Sequence, residues 1–261
     1  MKRIALASYP KSGNTWMRML LAGYFFGPVQ ETNDIRRIPD VHVAGELEAA
    51  RPHNGLLMVK THFAFPCPRP EASTLHGFVY VIRRPKDVLL SNLHYRKVTA
   101  VSSAVRASIK PAEYVAEWIR VGGETRWVAM GFGTWASHAK SWLENGAHLP
   151  HVLVRYEDLR ADPKREMARV LEMLGEPVDA DRLHAAVEGA QFDRMRALEI
   201  RSKASQKMDP VFGPASAARH GEFFMNRGRS GQSLREIDPR LDAAIDERFA
   251  EPMRQLGYAS S

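Results

Sequence analysis

The sequence predicts a single α/β domain, a central parallel β-sheet covered by helices on both faces. Two patterns carry that prediction. Short apolar runs, IALAS, LLMVKTHF, FVYVI and HVLVRY, are continuous rather than alternating, and strands buried on both faces read that way. Helical patterns fall between the runs, so strand and helix alternate along the chain. The length agrees. With 261 residues, 44% of them hydrophobic, the chain is long for one simple domain, short for two, and ample for a sizeable core.

Residues 4–8 form the first strand, apolar and ended by Pro10. Residues 15–26 form a helix, because Trp16, Met19, Leu20 and Tyr24 recur at helical spacing and Gly27-Pro28 stops it. A polar, irregular stretch follows to about residue 53. Gly55 opens the second strand, and Gly77 the third, rich in β-branched and aromatic residues. Pro85 suits the first turn of a helix that runs to about residue 95. Residues 98–133 are less regular, with one helix around 111–120. Residues 134–144 are helical and 151–156 form another strand. Residues 163–174 form a helix stopped by Gly175 and Pro177, and 181–190 a further one. Residues 202–223 lose periodicity and gain Gly, Pro, Ser and Lys. Asp238-Pro239 caps a last helix to about residue 256. One domain over 1–261 is expected, with mobile acceptor or lid segments near 34–53, 98–133 and 202–223.

Lysine and arginine number 37 against 30 acidic residues, a formal charge of +7. That balance fits an anionic partner such as a nucleotide, a sulfate ester, nucleic acid or a lipid surface. No block of Lys and Arg interleaves with aromatics, which argues against nucleic acid. Cys67 is the only cysteine, so no intrachain disulfide or cysteine-based metal site is available. Its Pro-rich setting, PCPRP, does not suit a catalytic thiol. No apolar run reaches membrane-spanning length, and strand-like sequence follows Met1 almost at once. A soluble cytoplasmic protein is expected. No long apolar seam fixes an oligomeric state, and a homodimer is left open.

In such sheets ligands bind beyond the C-terminal ends of the strands. After the first run comes YPKSGNTW. A strand, a tight turn with Gly13 and a helix N-terminus present backbone N–H groups to an anion, and Lys11 adds a charge. An ATP-binding loop reads G-x-x-x-x-G-K-[ST]. Here Lys11 precedes Ser12 and Gly13, and the first glycine is missing. After the second run comes VKTHF. Lys60 and His62, two apart, share a face of an extended segment. A histidine there, with an ordinary pKa of about 6.5, suits a general base, although a lone histidine is more often structural. After the third run comes VIRRPKDVLLSN. Arg83 follows the strand directly and Ser91 lies on the predicted helix. Arginine suits bidentate phosphate binding, and serine adds a hydroxyl.

Together these stretches resemble the cytosolic-type sulfotransferases. YPKSGNTW is similar to that family's 5′-phosphosulfate loop, close to YPKSGTTW. VIRRPKDVLLSN resembles its 3′-phosphate motif, R-N-P-K-D-V-x-x-S. VLVRYEDLRADPKREMARVLEMLG resembles its YED segment, and FFMNRGRSGQ, more loosely, its late F-x-R-K-G-x-x-G-D-W loop. The matches fall in family order and span nearly the whole chain.

The resemblance implies a P-loop-like fold of the sulfotransferase type. It also implies transfer of a sulfuryl group from 3′-phosphoadenosine 5′-phosphosulfate (PAPS) to a hydroxyl or amine of a small molecule. The product nucleotide is 3′-phosphoadenosine 5′-phosphate (PAP), and no metal is required. By the same resemblance, Lys11 contacts the 5′-phosphosulfate and stabilises its leaving oxygen. Ser12, Gly13, Asn14 and Thr15 surround that group. Trp16 and Phe192 sandwich the adenine, and Tyr156 bonds near it. Arg83 and Ser91 hold the 3′-phosphate, over which Arg227 and Gly228 close. His62 is the general base and Lys60 its supporting lysine.

The chain departs from the family pattern at Asn14, at Arg84 for a usual Asn, and at Ala190. It departs again at Asn226 for a common Arg, where either Arg229 takes over or 3′-phosphate binding is weaker, and at Gln232-Ser233 for Asp-Trp. Two other functions compete. A kinase using ATP and Mg²⁺ needs a lysine after the second loop glycine and a carboxylate for the metal. A non-catalytic binder of 3′-phosphonucleotides needs no base.

Overall fold

In the computed structural model the chain is described over residues 1–68, 74–100, 102–205, 208–226 and 228–258, with Arg219 described by its backbone alone. Strands β1 (Lys2–Ala7), β2 (Leu56–Thr61), β3 (Gly77–Ile82) and β4 (His151–Arg155) make one sheet. Its order is β2-β1-β3-β4, and every pairing is parallel.

Side chains alternate along each strand, and both sets are apolar. Ile4, Leu6, Met58, Val79 and Val81 enter one core layer. Ala5, Ala7, Phe78, Tyr80 and Ile82 enter the other. This is why the runs read as continuous: two faces need burial, and a helix layer covers each.

The first layer is closed by α1 (Asn14–Phe26), with α2 (Thr32–Arg36) and α3 (Glu46–Ala49) following it in the chain. The second layer uses α4 (Pro85–Val98). Beyond it lie α5 (Ser103–Ala107), α6 (Pro111–Val121), α7 (Thr125–Ala129) and α8 (Trp135–Lys140). A π-helical turn, Ser141–Asn145, extends α8. After β4 come α9 (Tyr156–Ala161), α10 (Pro163–Leu174), α11 (Ala180–Gly189) and α12 (Phe192–Ser205). A small hairpin, β5 (Met208–Asp209) and β6 (Gly213–Pro214), leads to a 3-10 turn over Ala215–His220 and to α13 (Pro239–Gln255). Met17, Leu20, Met167, Val170 and Leu183 pack the first layer. Val88, Val115, Trp118, Trp135 and Phe249 pack the second.

Two stretches expected to be irregular hold structure. Residues 34–53 contain part of α2 and all of α3. Residues 202–223 begin inside α12 and continue through the hairpin, where the Asp209 carboxylate accepts the N–H groups of Val211 and Phe212, each at 2.7 Å. The last turns of α12 escape the periodicity rule because their buried face carries Glu199, Ser202 and Lys203 rather than apolar side chains alone. No helix among the described residues is long and apolar enough to cross a membrane.

Candidate active site

The chain leaves β1 for β2 on one side and reaches β3 on the other, so the sheet reverses direction at β1. Ligands bind at such a switch point. The turns after β1, β2 and β3 there line one cavity of about 670 Å³.

At its centre is the turn after β1. Gly13 caps α1 with φ 108°, and no side chain caps the helix. The first-turn N–H groups of α1 thus lack a side-chain acceptor, which suits an anion. Glycine is required there on a second count, since a Cβ would lie 2.6 Å from Tyr156 Cδ2. Lys11 has φ 71°. Its Nζ stands 3.6 Å from the centre of the Phe224 ring and 4.4 Å from that of Tyr95. Burial, and then repulsion from Arg83, pushes the Lys11 pKa down to about 7.

Arg83 is buried against Tyr156, its guanidinium 4.2 Å from the ring centre. It donates to Lys11 O at 3.5 Å and Arg229 O at 2.5 Å. Trp16 meets Tyr156 in a T-shaped contact, ring centres 5.5 Å apart. Thr15, Ser91, Phe192 and Gly228 line the same cavity, and Gly228 sits against Phe192, where a Cβ would be 2.7 Å from Cδ2. Lys11, Gly13, Trp16, Arg83, Ser91, Tyr156, Phe192 and Gly228 are therefore brought together, although they come from widely separated parts of the chain. Arg227 lies outside the described residues.

Asn14 lines the same cavity, and its side chain also reaches back to the end of β1. Its amide donates to Leu6 O and Ser8 Oγ, both at 3.1 Å, and so ties α1 to the end of β1. A kinase-type loop would carry its lysine after the loop glycine, where Asn14 stands.

The end of β2 brings His62 to the cavity from the other side. Its Nδ1 lies 2.7 Å from Ser8 O. A carbonyl only accepts, so Nδ1 carries the proton and Nε2 keeps its lone pair. Burial, with the charge of Lys60 and the neighbouring His42, holds the His62 pKa well below the ordinary value. His62 is thus a neutral base near neutrality. Lys60, buried, gives its Nζ to Asp40 Oδ2 at 2.7 Å. Burial lowers the lysine. Burial works to raise Asp40, but Lys60 and Arg18 outweigh it and hold the carboxyl below its usual range. Tyr95, Trp127, Phe132 and Phe224 form aromatic walls of the same cavity.

Two anchors escaped the motif reading. Asp87, buried on α4, accepts the N–H groups of Gly231 at 2.9 Å and Gln232 at 3.0 Å, and the Gln232 amide at 3.1 Å. Gln232, at a departure from the family pattern, thus ties the late loop down. Glu199, fully buried, accepts from Phe224 N at 2.6 Å and Met225 N at 2.8 Å and pairs with Lys203 at 2.5 Å. His94, next to Tyr95 on α4, meets Phe223 O at 2.6 Å. A charged residue inside an otherwise helical segment was the available signal for both anchors, but it does not say which loop it holds. Among the described residues no group of three or more His, Cys, Asp or Glu side chains is placed to hold a metal ion.

The Sulfotransferase domain family matches residues 1–257. The chain belongs to this family. Sulfotransferase 1C2 of Rattus norvegicus is 23% identical over 272 residues, spanning 96% of this chain and 82% of the relative. Sulfotransferase 1A1 of the same species is 25% identical over 268 residues, 98% and 86% of the two chains. Mouse sulfotransferase SULT7A1 complexed with PAP superposes with a TM-score of 0.68 at 18% identity, over 97% of this chain and 84% of the other. Retinol dehydratase complexed with retinol and PAP gives 0.65 at 16%, over 100% and 84%.

In a sulfotransferase the anion site must take a nucleotide charged at both ends. The residues present suit that group. Ser12 Oγ, Trp16 Nε1 and Arg83 Nε are buried without a hydrogen-bond partner among the described residues, and buried polar atoms rarely stay unpaired. They cluster around the uncapped start of α1.

Proposed function

We propose that the protein transfers the sulfuryl group of PAPS to a hydroxyl or amine of a small-molecule acceptor, with His62 as general base. The observation that carries this is the tautomer of His62. Ser8 O fixes the proton on Nδ1, which leaves the Nε2 lone pair as proton acceptor, and His62 lines the cavity that also holds Lys11 and Arg83.

The roles follow from charge and position. The uncapped turns of α1, with Lys11, Ser12, Gly13 and Thr15, hold the 5′ group. Trp16, Tyr156 and Phe192 take the adenine. Arg83, Ser91, Gly228 and the late loop take the 3′-phosphate. Lys60, held by Asp40, supports the base side. The acceptor lies between the aromatic walls and His62, and those walls suit an apolar, small molecule.

In the step itself, the acceptor's O–H or N–H proton passes to His62 Nε2. The acceptor atom forms the new bond to sulfur as the bond from sulfur to the bridging oxygen breaks, and the electron pair stays on that oxygen. The Lys11 ammonium offsets this charge. Such transfers rest on positioning and electrostatics, and a placed base contributes about 10²–10⁴ in rate. The low pKa of His62 has a consequence of definite sign: the base is lost only as pH falls through its depressed pKa, so the acid limb of kcat/KM lies below pH about 6.5.

The test is PAPS with a panel of phenols, alcohols and amines, read by mass spectrometry of the sulfated product. Turnover by the wild type and a loss of at least about 10²-fold in kcat for His62→Ala, with PAP affinity kept, is the expected result. Full turnover in His62→Ala would remove His62 as base. PAP binding without turnover of any acceptor would favour the non-catalytic binder.

A further inference from the structure

His62 is held at three points, and none of its three partners belongs to a motif. Its ring is fixed by Ser8 O. Its carbonyl accepts from His138 Nε2 at 3.1 Å, and His138 Nδ1 in turn takes the Tyr80 hydroxyl at 2.7 Å. Its backbone N–H donates to the side chain of His42, Nε2, at 2.8 Å.

The reason for the third contact lies in the sheet edge. β2 is a terminal strand, and an unpaired strand edge needs cover. Residues 39–41 provide it as a short parallel addition. Lys60 N donates to Pro39 O at 2.7 Å, and Val41 N donates to Lys60 O at 3.1 Å. A continued parallel ladder would send the next bond from His62 N–H to Val41 O. The chain turns instead, with Val43 N bonded to Asp40 O at 3.0 Å, and the His42 ring supplies the acceptor. That ring also stacks on His62, centres 5.7 Å apart and planes 20° apart. It is wedged against Phe63 at 4.5 Å and Phe132 at 5.1 Å, and Phe132 is an acceptor wall.

We propose that His42 is a positioning residue for sulfuryl transfer: by accepting the His62 N–H it fixes the base-bearing end of β2 against the acceptor wall. This rests on His62 being the base. His42 is absent from the residues lining the cavity, so it acts through His62. An N–H donor on a peptide that has left its ladder would otherwise be unpaired, and a buried unpaired donor tends to move. Small shifts of a base cost rate rather than affinity, about 10²-fold for an ångström.

Two variants separate this role from packing. His42→Leu keeps an apolar side chain and removes the acceptor. His42→Gln keeps an acceptor oxygen at a similar reach. Amide hydrogen exchange of His62, which needs no turnover, reads the bond directly, and steady-state kinetics with PAP affinity read its consequence. His42→Leu is expected to raise the exchange rate of the His62 amide at least about tenfold and to lower kcat about tenfold to a hundredfold, with KM and PAP affinity held. His42→Gln is expected to restore protection and most of kcat. Unchanged protection in His42→Leu would overturn the proposal. So would equal kcat losses in both variants, or loss of PAP affinity in His42→Leu, each of which makes His42 ordinary packing. If His62→Ala turns over normally while His42→Leu still unlocks the amide, the base assignment fails and the structural bond stands. The reverse pattern leaves the base and removes His42.

Discussion

Lys11 shows how far one residue's surroundings alter its chemistry. A surface lysine is charged at any physiological pH, but burial and the neighbouring Arg83 push this one down to about 7. Without a nucleotide it is about half protonated at neutrality. An anionic 5′ group beside it reverses that balance, because opposite charge favours the ammonium. Binding at pH 8 is therefore expected to take up a proton, and affinity to weaken as pH rises through and beyond 7. Calorimetric titration of PAP in two buffers of different ionisation enthalpy counts that proton, and Lys11→Met should abolish the uptake. No difference between buffers for the wild type would mean that Lys11 does not meet the 5′ group. That Lys11, Arg83 and His62 meet at one cavity was legible in the sequence because each follows an apolar run, on the side where a parallel sheet presents its ligands. The direction of the Asn14 side chain was not, since a polar residue beside a loop can turn to the cavity or to the strand. Its amide satisfies Leu6 O and Ser8 Oγ, a choice made by the backbone geometry of β1.

At the scale of elements, the late loop is sewn at two places, to the turn after β3 and to the first turn of α4. Arg83 donates to Arg229 O at one, and Asp87 takes two backbone N–H groups and the Gln232 amide at the other. Hydrogen bonds to a charged acceptor contribute about 1.5–3 kcal/mol each, enough to hold a short loop in place. Asp87→Ala should free residues 228–232. PAP affinity is expected to fall about tenfold or more, and ADP affinity much less, because ADP has no 3′-phosphate for the loop to cover. Isothermal titration of both nucleotides checks this, and equal losses would detach the loop from the 3′-phosphate. The same scale shows where periodicity fails as a guide. α1, α4, α6, α10 and α13 were readable from apolar stripes, helix-starting prolines and a terminating glycine. α12 was not read at all, and in its last turns Glu199, Ser202 and Lys203 face inward and bond the 223–225 segment and Asp209. A helix whose buried face includes a polar network carries a weaker hydrophobic signal, so residues 202–205 looked like the start of a loop.

For the molecule as a whole, the parallel sheet explains why distant motifs converge. β1 lies between β2 and β3, so the turn after it meets Arg83 on one side and His62 on the other. A nucleotide in the cavity would add contacts among α1, α4, α9, α12 and the late loop, whose residues line it. A ligand that binds the folded chain alone should raise its stability. At a hundredfold excess over its Kd, PAP is expected to add about 2.7 kcal/mol. For a chain of this size that is a rise in Tm of roughly 5–11 °C. ADP at the same concentration should give a much smaller rise, because it lacks the 3′-phosphate for which Arg83, Ser91 and Gly228 are proposed. ATP with Mg²⁺ should do little, since Asn14 occupies the place of a P-loop lysine. Differential scanning fluorimetry with the three nucleotides side by side decides the matter. Stabilisation by ATP with Mg²⁺, and none by PAP, would make the turn after β1 a nucleoside triphosphate site and remove the sulfuryl donor from the reaction.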